Sequence, residues 1–415
     1  MLQAITLMFS LFLSICILAF SNGAAGTLLA LRITEAGFSS LSVGLISSGY
    51  FFGMIVGPFY VQRLVTHIGY IRAFSAFGST LSAALLLHPF FIDPWFWTFL
   101  RIIEGVCMVG MYICAESWIN EKSTNEIRGR VFSLYALLVM AMVSLGQLIL
   151  NVPDSTGVSI FVLLSVLASI AIVPIAITKV DAPPPPTLSS LNLVELYNIS
   201  PLAMIAAIST GALQGAAYGL GPVYASSIGL DVEAVTWFMF MLLGGAVIGM
   251  WPLGKLSDTI DRRFTLLIAL TIVIASSLGL AAFQPTGWVL SVFALIFGAS
   301  AWPLYTILSA HLNDHATTEQ RVSANAGLLV MYGIGAAAGP LLAAGTNTIL
   351  DSPSGLFVFT AFIAALTVAS TLWRMVARES IAVEDQGTHT IVPRTSPMVA
   401  EIVAEMEEEE EEEEE

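Results

Sequence analysis

The chain is short of charge. Asp, Glu, Lys and Arg together make up 11% of its 415 residues, where a soluble globular protein carries about 25%. An ordinary water-facing surface cannot be built from so little. Bases are scarcer still, 15 Lys and Arg against 30 Asp and Glu, so the basic footprint that nucleic acid demands is missing. The three cysteines, Cys16, Cys107 and Cys114, all lie in apolar runs, where each reads as a small buried hydrophobe. Neither a disulfide framework nor a zinc spacing can be drawn from them. The histidines, His67, His88, His311, His315 and His389, are scattered. HExxH, GxSxG and GxxxxGK[ST] elements are all absent, so the sequence offers neither an enzyme's constellation nor the phosphate cradle of a nucleotide-driven pump. No cofactor or metal is expected.

What the chain has instead is apolar length. Apolar residues make up 56% of it, and the mean hydropathy is +0.84. The formal charge of -15 is largely a matter of the last fifteen residues, eleven of which are Glu; without them it is -4. A bilayer core of about 30 Å needs about 20 apolar residues per helix. Twelve such runs occur, near 4–30, 41–62, 72–91, 95–117, 131–151, 157–178, 201–225, 233–253, 264–284, 288–310, 322–345 and 355–376. The short alternating pattern of a membrane barrel is not seen. The expected fold is all-α and integral to the membrane. The first run lacks a basic flank and is too long for a signal-peptide core, so no cleavage is expected.

Orientation follows from the bases, which stay on the cytoplasmic side of membrane helices. With both termini inside, 13 of the 15 Lys and Arg are cytoplasmic, leaving only Arg32 outside and Arg101 within a span. An odd number of spans would scatter that set.

The chain also repeats itself. Arg130–Met140 recurs as Arg321–Met331 with six of eleven residues identical at an offset of 191. An offset of 192 places Asn22 on Gln214, Gly37 on Gly229, Gly53 on Gly245, Gly57 on Gly249 and Arg63 on Lys255. An offset of 193 pairs Gly105, Tyr112, Asn120 and Glu121 with Gly298, Tyr305, Asn313 and Asp314. One near-constant offset across polar positions marks two six-helix halves, 1–178 and 201–378. Between them, 179–200 with its run Pro183 to Pro186 reads as a stiff polar connector. The segment 379–415 cannot bury apolar area and reads as a solvated, disordered acidic tail. Two parallel six-helix repeats are the plan of one large group of secondary transporters.

Local motifs agree. The loop Gly254-Lys-Leu-Ser-Asp258-Thr-Ile-Asp261-Arg262-Arg263 resembles the GxxxDRxGRR loop of the major facilitator superfamily, with Asp261 in place of the second Gly and Thr259 in place of the first Arg. The equivalent loop after span 2 keeps Gly69 but has Gln62, Thr66 and His67 where that family has Gly, Asp and Arg. Arg101-Ile-Ile-Glu104-Gly105 resembles the family's RxxQG element with Glu for Gln, and Gly335 to Pro340 form in span 11 a GxxxGP that drug antiporters carry in span 5. Glu116-Ser117, Arg128-Gly129-Arg130, Leu304-Tyr305 and Gly339-Pro340 look most like the bacterial YcaD-type subgroup. The resemblance runs to about residue 378. It implies alternating access about a midplane site, with a small solute and protons as partners, a monomer, and an inner or plasma membrane location.

Charged side chains at membrane depth are expensive and so are candidates for function. Arg101 and Glu104 share a helix face, either as substrate anchor and proton carrier or as a permanent ion pair. Asn22 and Gln214, at matched positions, can both donate and accept hydrogen bonds, which suits a neutral or zwitterionic solute; the alternative is helix-to-helix glue. Tyr218, Trp302, Tyr305 and Tyr332 are expected to wall the same cavity, or else to pack. Glu116 with Arg128 or Arg130, and Asp258 of the Gly254 loop with Arg262 or Arg263, are expected cytoplasmic latches. Proton-driven solute transport is the main expectation, with a multidrug or metabolite exporter and a non-transporting receptor of the same fold as alternatives.

Overall fold

The computed structural model describes residues 2–153, 157–178 and 193–377, together with 381, 386, 387 and 395. Most of the tail and residues 179–192 of the connector therefore lie outside the described residues. Twelve helices long and apolar enough to cross a bilayer follow one another: Met8–Glu35, Ser40–Ile68, Tyr70–Phe90, Pro94–Lys122, Ile127–Asn151, Ser159–Ala176, Pro201–Ser227, Val232–Thr259, Arg262–Phe283, Gly287–Asn313, Gln320–Leu350 and Gly355–Ala377. They are spans 1 to 12, and each covers one of the expected runs. Among the described residues there is no strand. A helix satisfies its backbone internally, which is the condition for crossing lipid.

The breaks between spans have local causes. Gly37 (φ 81°) and Gly229 (φ 89°) turn the chain after spans 1 and 7 in a conformation that side chains rarely adopt. Asp93, followed by Pro94, accepts from the Phe96 N–H at 2.8 Å to start span 4. Asp231 does the same for Ala234 at 2.9 Å to start span 8. Within the expected connector, Leu193–Ile199 forms a short helix, and the Ser200 side chain caps span 7.

The internal repeat is visible as packing. A Cβ on Gly53 would strike the Ile102 carbonyl oxygen, and one on Gly105 the Tyr50 carbonyl oxygen, with each added Cβ about 3 Å from the other glycine's Cα. In the second half, a Cβ on Gly298 would strike the Leu242 carbonyl oxygen, and one on Gly245 would lie 2.5 Å from the Leu295 oxygen. Spans 2 and 4 thus cross through the same glycine contact as spans 8 and 10, at positions displaced by the repeat.

The two halves meet mostly toward the end of the bundle remote from the chain termini, here the far end. The Ser144 hydroxyl of span 5 donates to the Phe240 carbonyl of span 8 at 2.8 Å. A Cβ on Gly44 of span 2 would come within 2.8 Å of the Pro340 carbonyl oxygen of span 11. At mid-depth the Tyr218 hydroxyl of span 7 donates to the Asn22 carbonyl of span 1 at 3.1 Å. On the near side of these contacts, cavities remain between the halves.

Candidate functional site

A cavity of about 120 Å³ lies between the halves and is lined by residues of both, including Asn22, Tyr50, Tyr112, Gln214, Tyr218, Trp302 and Tyr332. Asn22 and Gln214, superposed by the repeat, face one space. No charged side chain lines it among the described residues. Gln214 is buried at 3% exposure. Its amide donates to the Ala301 carbonyl at 2.7 Å, and its carbonyl accepts from the Tyr332 hydroxyl at 2.9 Å. The first of these contacts lies where span 10 breaks, between the helices Gly287–Ala301 and Leu304–Asn313, with Pro303 in the gap. Broken helices that line a cavity are where irregular backbone is tolerated at membrane depth. The rest of the wall is apolar, with Phe51, Met54, Met140, Val143 and Leu243. An unpaired charge in such a space would carry the desolvation cost.

One expected wall residue is elsewhere. Tyr305 does not line this cavity; it is buried at 4% exposure in a cluster with Leu196, Ala203 and Leu328. Its ring packs edge-on behind Tyr332 at 5.2 Å. The offset that matched it with Tyr112 holds for position along the helix, but the break at Pro303 lies just before it in span 10. Tyr50 and Tyr112 line the cavity instead, and neither stood out in an apolar sequence where aromatic residues are common.

Arg101 also stands apart from the main cavity. It borders a smaller void with Ser47, Phe51 and Tyr218, and its guanidinium sits over the Tyr50 ring at 4.1 Å. The Arg101 side chain donates to Glu104 Oε2 at 2.8 Å, and the residues are 2% and 1% exposed. Tyr50 is therefore a partition, with one side toward the cavity and its ring against the buried ion pair. The other carboxylate oxygen, Glu104 Oε1, has no hydrogen-bond partner among the described residues. It faces His88 Nδ1 at 3.5 Å. That histidine closes span 3 and is fully buried, but nothing in the sequence joined it to span 4.

At the near end, Arg262 is buried at 1% exposure. It donates through Nε to Asp314 Oδ2 at 2.5 Å and through Nη1 to the Ser257 hydroxyl at 3.1 Å, and it lies 3.6 Å from Asp258 Oδ1. The main clasp of this loop is therefore Asp314, at the foot of span 10, with Asp258 the longer contact. The repeat carried a signal, since Asp314 is the partner of Glu121 at offset 193. Arg263 is clasped by Asp261, 2.7 Å from its Nη2. Burial raises the Asp261 carboxyl, but hydrogen bonds from the Arg263 side chain and backbone outweigh it and hold it below its ordinary value. Gly254 is buried and still helical, five residues before span 8 ends at Thr259. Glu116 is fully buried, six residues before span 4 ends. It accepts from the Tyr135 hydroxyl at 2.9 Å and from the Thr395 hydroxyl. Arg128 is half-buried and Arg130 exposed at the start of span 5.

A larger cleft, about 490 Å³, opens at the far end between Arg32, Asn151 and Glu233. None of its polar side chains is buried, so it reads as surface.

The sequence matches the Major Facilitator Superfamily profile over residues 11–340. The chain belongs to that superfamily. It is 26% identical over 319 residues to an uncharacterized MFS-type transporter, YE1530, of Yersinia enterocolitica, covering 76% of this chain and 82% of the other. It is 25% identical over 316 residues to the uncharacterized MFS-type transporter YcaD of Escherichia fergusonii, with the same coverage. Among solved structures, the nucleoside transporter NupG superposes with a TM-score of 0.70 at 13% identity, over 91% of this chain and 99% of that one. A bacterial homolog of the human lysosomal transporter Spinster, in an inward-facing and occupied conformation, superposes with a TM-score of 0.70 at 14% identity, over 92% and 97%. The fold is therefore the MFS fold, and the chain is a membrane transporter by family.

Proposed function

We propose that the protein carries a small, neutral, hydrogen-bonding organic solute across the membrane by alternating access, driven by protons taken up at Glu104. The solute occupies the cavity walled by Asn22, Gln214, Tyr218, Trp302 and Tyr332, and both chain termini are cytoplasmic. The single observation that carries this reading is the separation of roles: a binding space lined without charge, next to a buried Arg101–Glu104 pair whose guanidinium lies against the ring of Tyr50, a cavity wall residue. Solute and proton then act on neighbouring faces of one residue. Rocking the halves about the mid-depth contacts would open the far end and close the near end. The protein works as a monomer in the inner or plasma membrane.

The test has two stages. A ligand screen by melting temperature should give its largest shifts with neutral heterocyclic or polyhydroxylated solutes, since a ligand at 100 times its Kd stabilises the fold by about 2.7 kcal/mol. Shifts from carboxylates or amines alone would overturn the neutral-solute reading. With the solute found, liposomes holding only this protein should accumulate it under a pH gradient. Glu104→Gln should abolish that accumulation and keep solute exchange, because exchange needs no net change in protonation. Uphill transport by a well-folded Glu104→Gln protein removes Glu104 as the proton carrier. The apolar wall of Phe51, Met54, Met140, Val143 and Leu243 favours export of a drug-like compound as the second reading, and the same screen tells the two apart.

A further inference from the structure

His88 has no part in the transport scheme above, yet it is placed as a working group would be. It lies in the 3-10 turn His88–Phe90 at the far end of span 3 and is fully buried. Two aromatic rings hold the imidazole: Phe161 of span 6 stacks on it at 6.0 Å with an interplanar angle of 10°, and Trp97 of span 4 meets it edge-on at 5.3 Å. The Trp97 indole also donates to the His88 carbonyl at 3.0 Å, which fixes the backbone. Nδ1 lies 2.9 Å from the Ala84 carbonyl. A carbonyl can only accept, so in the neutral ring Nδ1 carries the hydrogen and Nε2 the lone pair. Nε2 has no partner among the described residues, and neither has Glu104 Oε1. These two orphaned atoms bracket a short line into the ion pair: Nε2, the ring, Nδ1, then Oε1 at 3.5 Å.

The charged and titratable groups facing this ring are few. Span 4 presents Glu104 and Arg101, span 2 presents Tyr50 beyond Arg101, and span 6 presents only the Phe161 ring. A buried imidazolium is therefore held by one carboxylate, opposed by one guanidinium, and otherwise surrounded by apolar surface. Dry surroundings disfavour any charged form. A proton on Nδ1 has a carboxylate oxygen at 3.5 Å, Glu104 Oε1, and Oε2 can still accept from Arg101 when Oε1 carries it.

We propose that His88 is the station through which Glu104 exchanges its coupling proton with the far side of the membrane. This rests on the reading of Glu104 as the proton carrier. When the far end opens, Nε2 takes a proton from hydronium, leaving water and an imidazolium. When it closes, the Nδ1–H bond breaks and an Oε1–H bond forms, leaving a neutral Glu104 and a neutral ring protonated on Nε2. The bare Nδ1 then opposes the Ala84 carbonyl, acceptor against acceptor, which favours return of the proton when the site reopens. His88 thereby acts at the reacting atoms, and Trp97 and Phe161 are positioning residues.

The experiment uses the full-length protein in liposomes and needs no solute. After a step in external pH toward acid, protonation of Glu104 is followed by the carboxylic-acid infrared band that Glu104→Gln removes. In His88→Asn the side-chain amide can still donate to the Ala84 carbonyl but cannot carry a proton. Its Glu104 band should reach the wild-type amplitude and form at least tenfold more slowly. His88→Gln, with its amide nearer the Nε2 position, carries the same expectation and serves if the first variant does not fold. A full band that forms at the wild-type rate in either folded variant overturns the relay and leaves Glu104 standing. A wild-type protein without the band at any pH overturns Glu104 as proton carrier and the relay with it.

Discussion

Arg101 Nη1 donates to Glu104 Oε2 at 2.8 Å inside span 4, with both side chains almost fully buried. The pair is three residues apart on one helix and is held from the other side by the Tyr50 ring. Removing one partner of a buried pair leaves an uncompensated charge and costs about 3–5 kcal/mol, whereas removing both is often near neutral. Arg101→Gln should therefore lower the melting temperature sharply, and the double variant Arg101→Gln, Glu104→Gln should recover most of the loss. A double variant as unstable as the single one would show that the pair is not the energetic unit, and that Arg101 is held by the Tyr50 face instead.

Much of the fold could be read from residue order because lipid makes the demands simple. A run of apolar residues about 20 long has one stable answer there, and all twelve runs were found. The repeat was legible where the residue type is forced, at Gly53, Gly105, Gly245 and Gly298, because only glycine lets two backbones touch. Asn22 and Gln214 were legible because polar side chains in apolar helices stand out. His88 was not: it sits at a helix end, where a histidine reads as an interface residue. Its meeting with Glu104 depends on the packing of spans 3 and 4, which no local pattern encodes. Tyr305 failed for a related reason, since Pro303 breaks span 10 just ahead of it and the tyrosine packs behind Tyr332 rather than into the cavity.

Two carboxylates compete for Arg262, and geometry ranks them. Asp314 lies 2.5 Å from Nε and its side chain is 5% exposed, while Asp258 lies 3.6 Å from Nη1 and is 35% exposed. A buried, charge-assisted contact is worth far more than a half-exposed one. Asp314→Asn should cost about 3–5 kcal/mol, and Asp258→Asn about 1 kcal/mol or less, read as melting temperatures of the purified protein. If Asp258 nevertheless serves as a latch during the cycle, Asp258→Asn should slow flux while the melting curve stays near wild type. Equal destabilisation by the two changes would contradict the ranking.

Glycine substitutions separate contact from conformation. A Cβ on Gly105 strikes the backbone carbonyl of Tyr50, which cannot move aside without shifting span 2 against span 4. Gly345 lies inside span 11 with nothing within 4 Å of the same added atom. Gly105→Ala should therefore sharply reduce the yield of folded protein, while Gly345→Ala should be neutral or stabilise by up to about 1 kcal/mol through helix propensity. Comparable yields of folded protein for both would remove the glycine crossing as the determinant of how spans 2 and 4 pack.

Gln214 uses both ends of its amide, donating to Ala301 at 2.7 Å and accepting from Tyr332 at 2.9 Å. A glutamic acid of the same length can do both only while it is protonated. Ionised, it still accepts from Tyr332 but sets a negative oxygen against the Ala301 carbonyl, in a cavity without a charged wall. Gln214→Glu should thus bind more protons folded than unfolded, so its stability must fall as pH rises. The variant should melt close to wild type below the ordinary Glu value of about 4.3 and lose stability progressively above it, measured as melting temperature against pH with the wild type as reference. Gln214→Leu, which orphans both partners, should cost about 1–3 kcal/mol for each buried group left unpaired, with no added pH dependence. A Gln214→Glu protein that tracks the wild type at every pH would mean that water reaches this end of the cavity and that Gln214 is free to turn toward a solute.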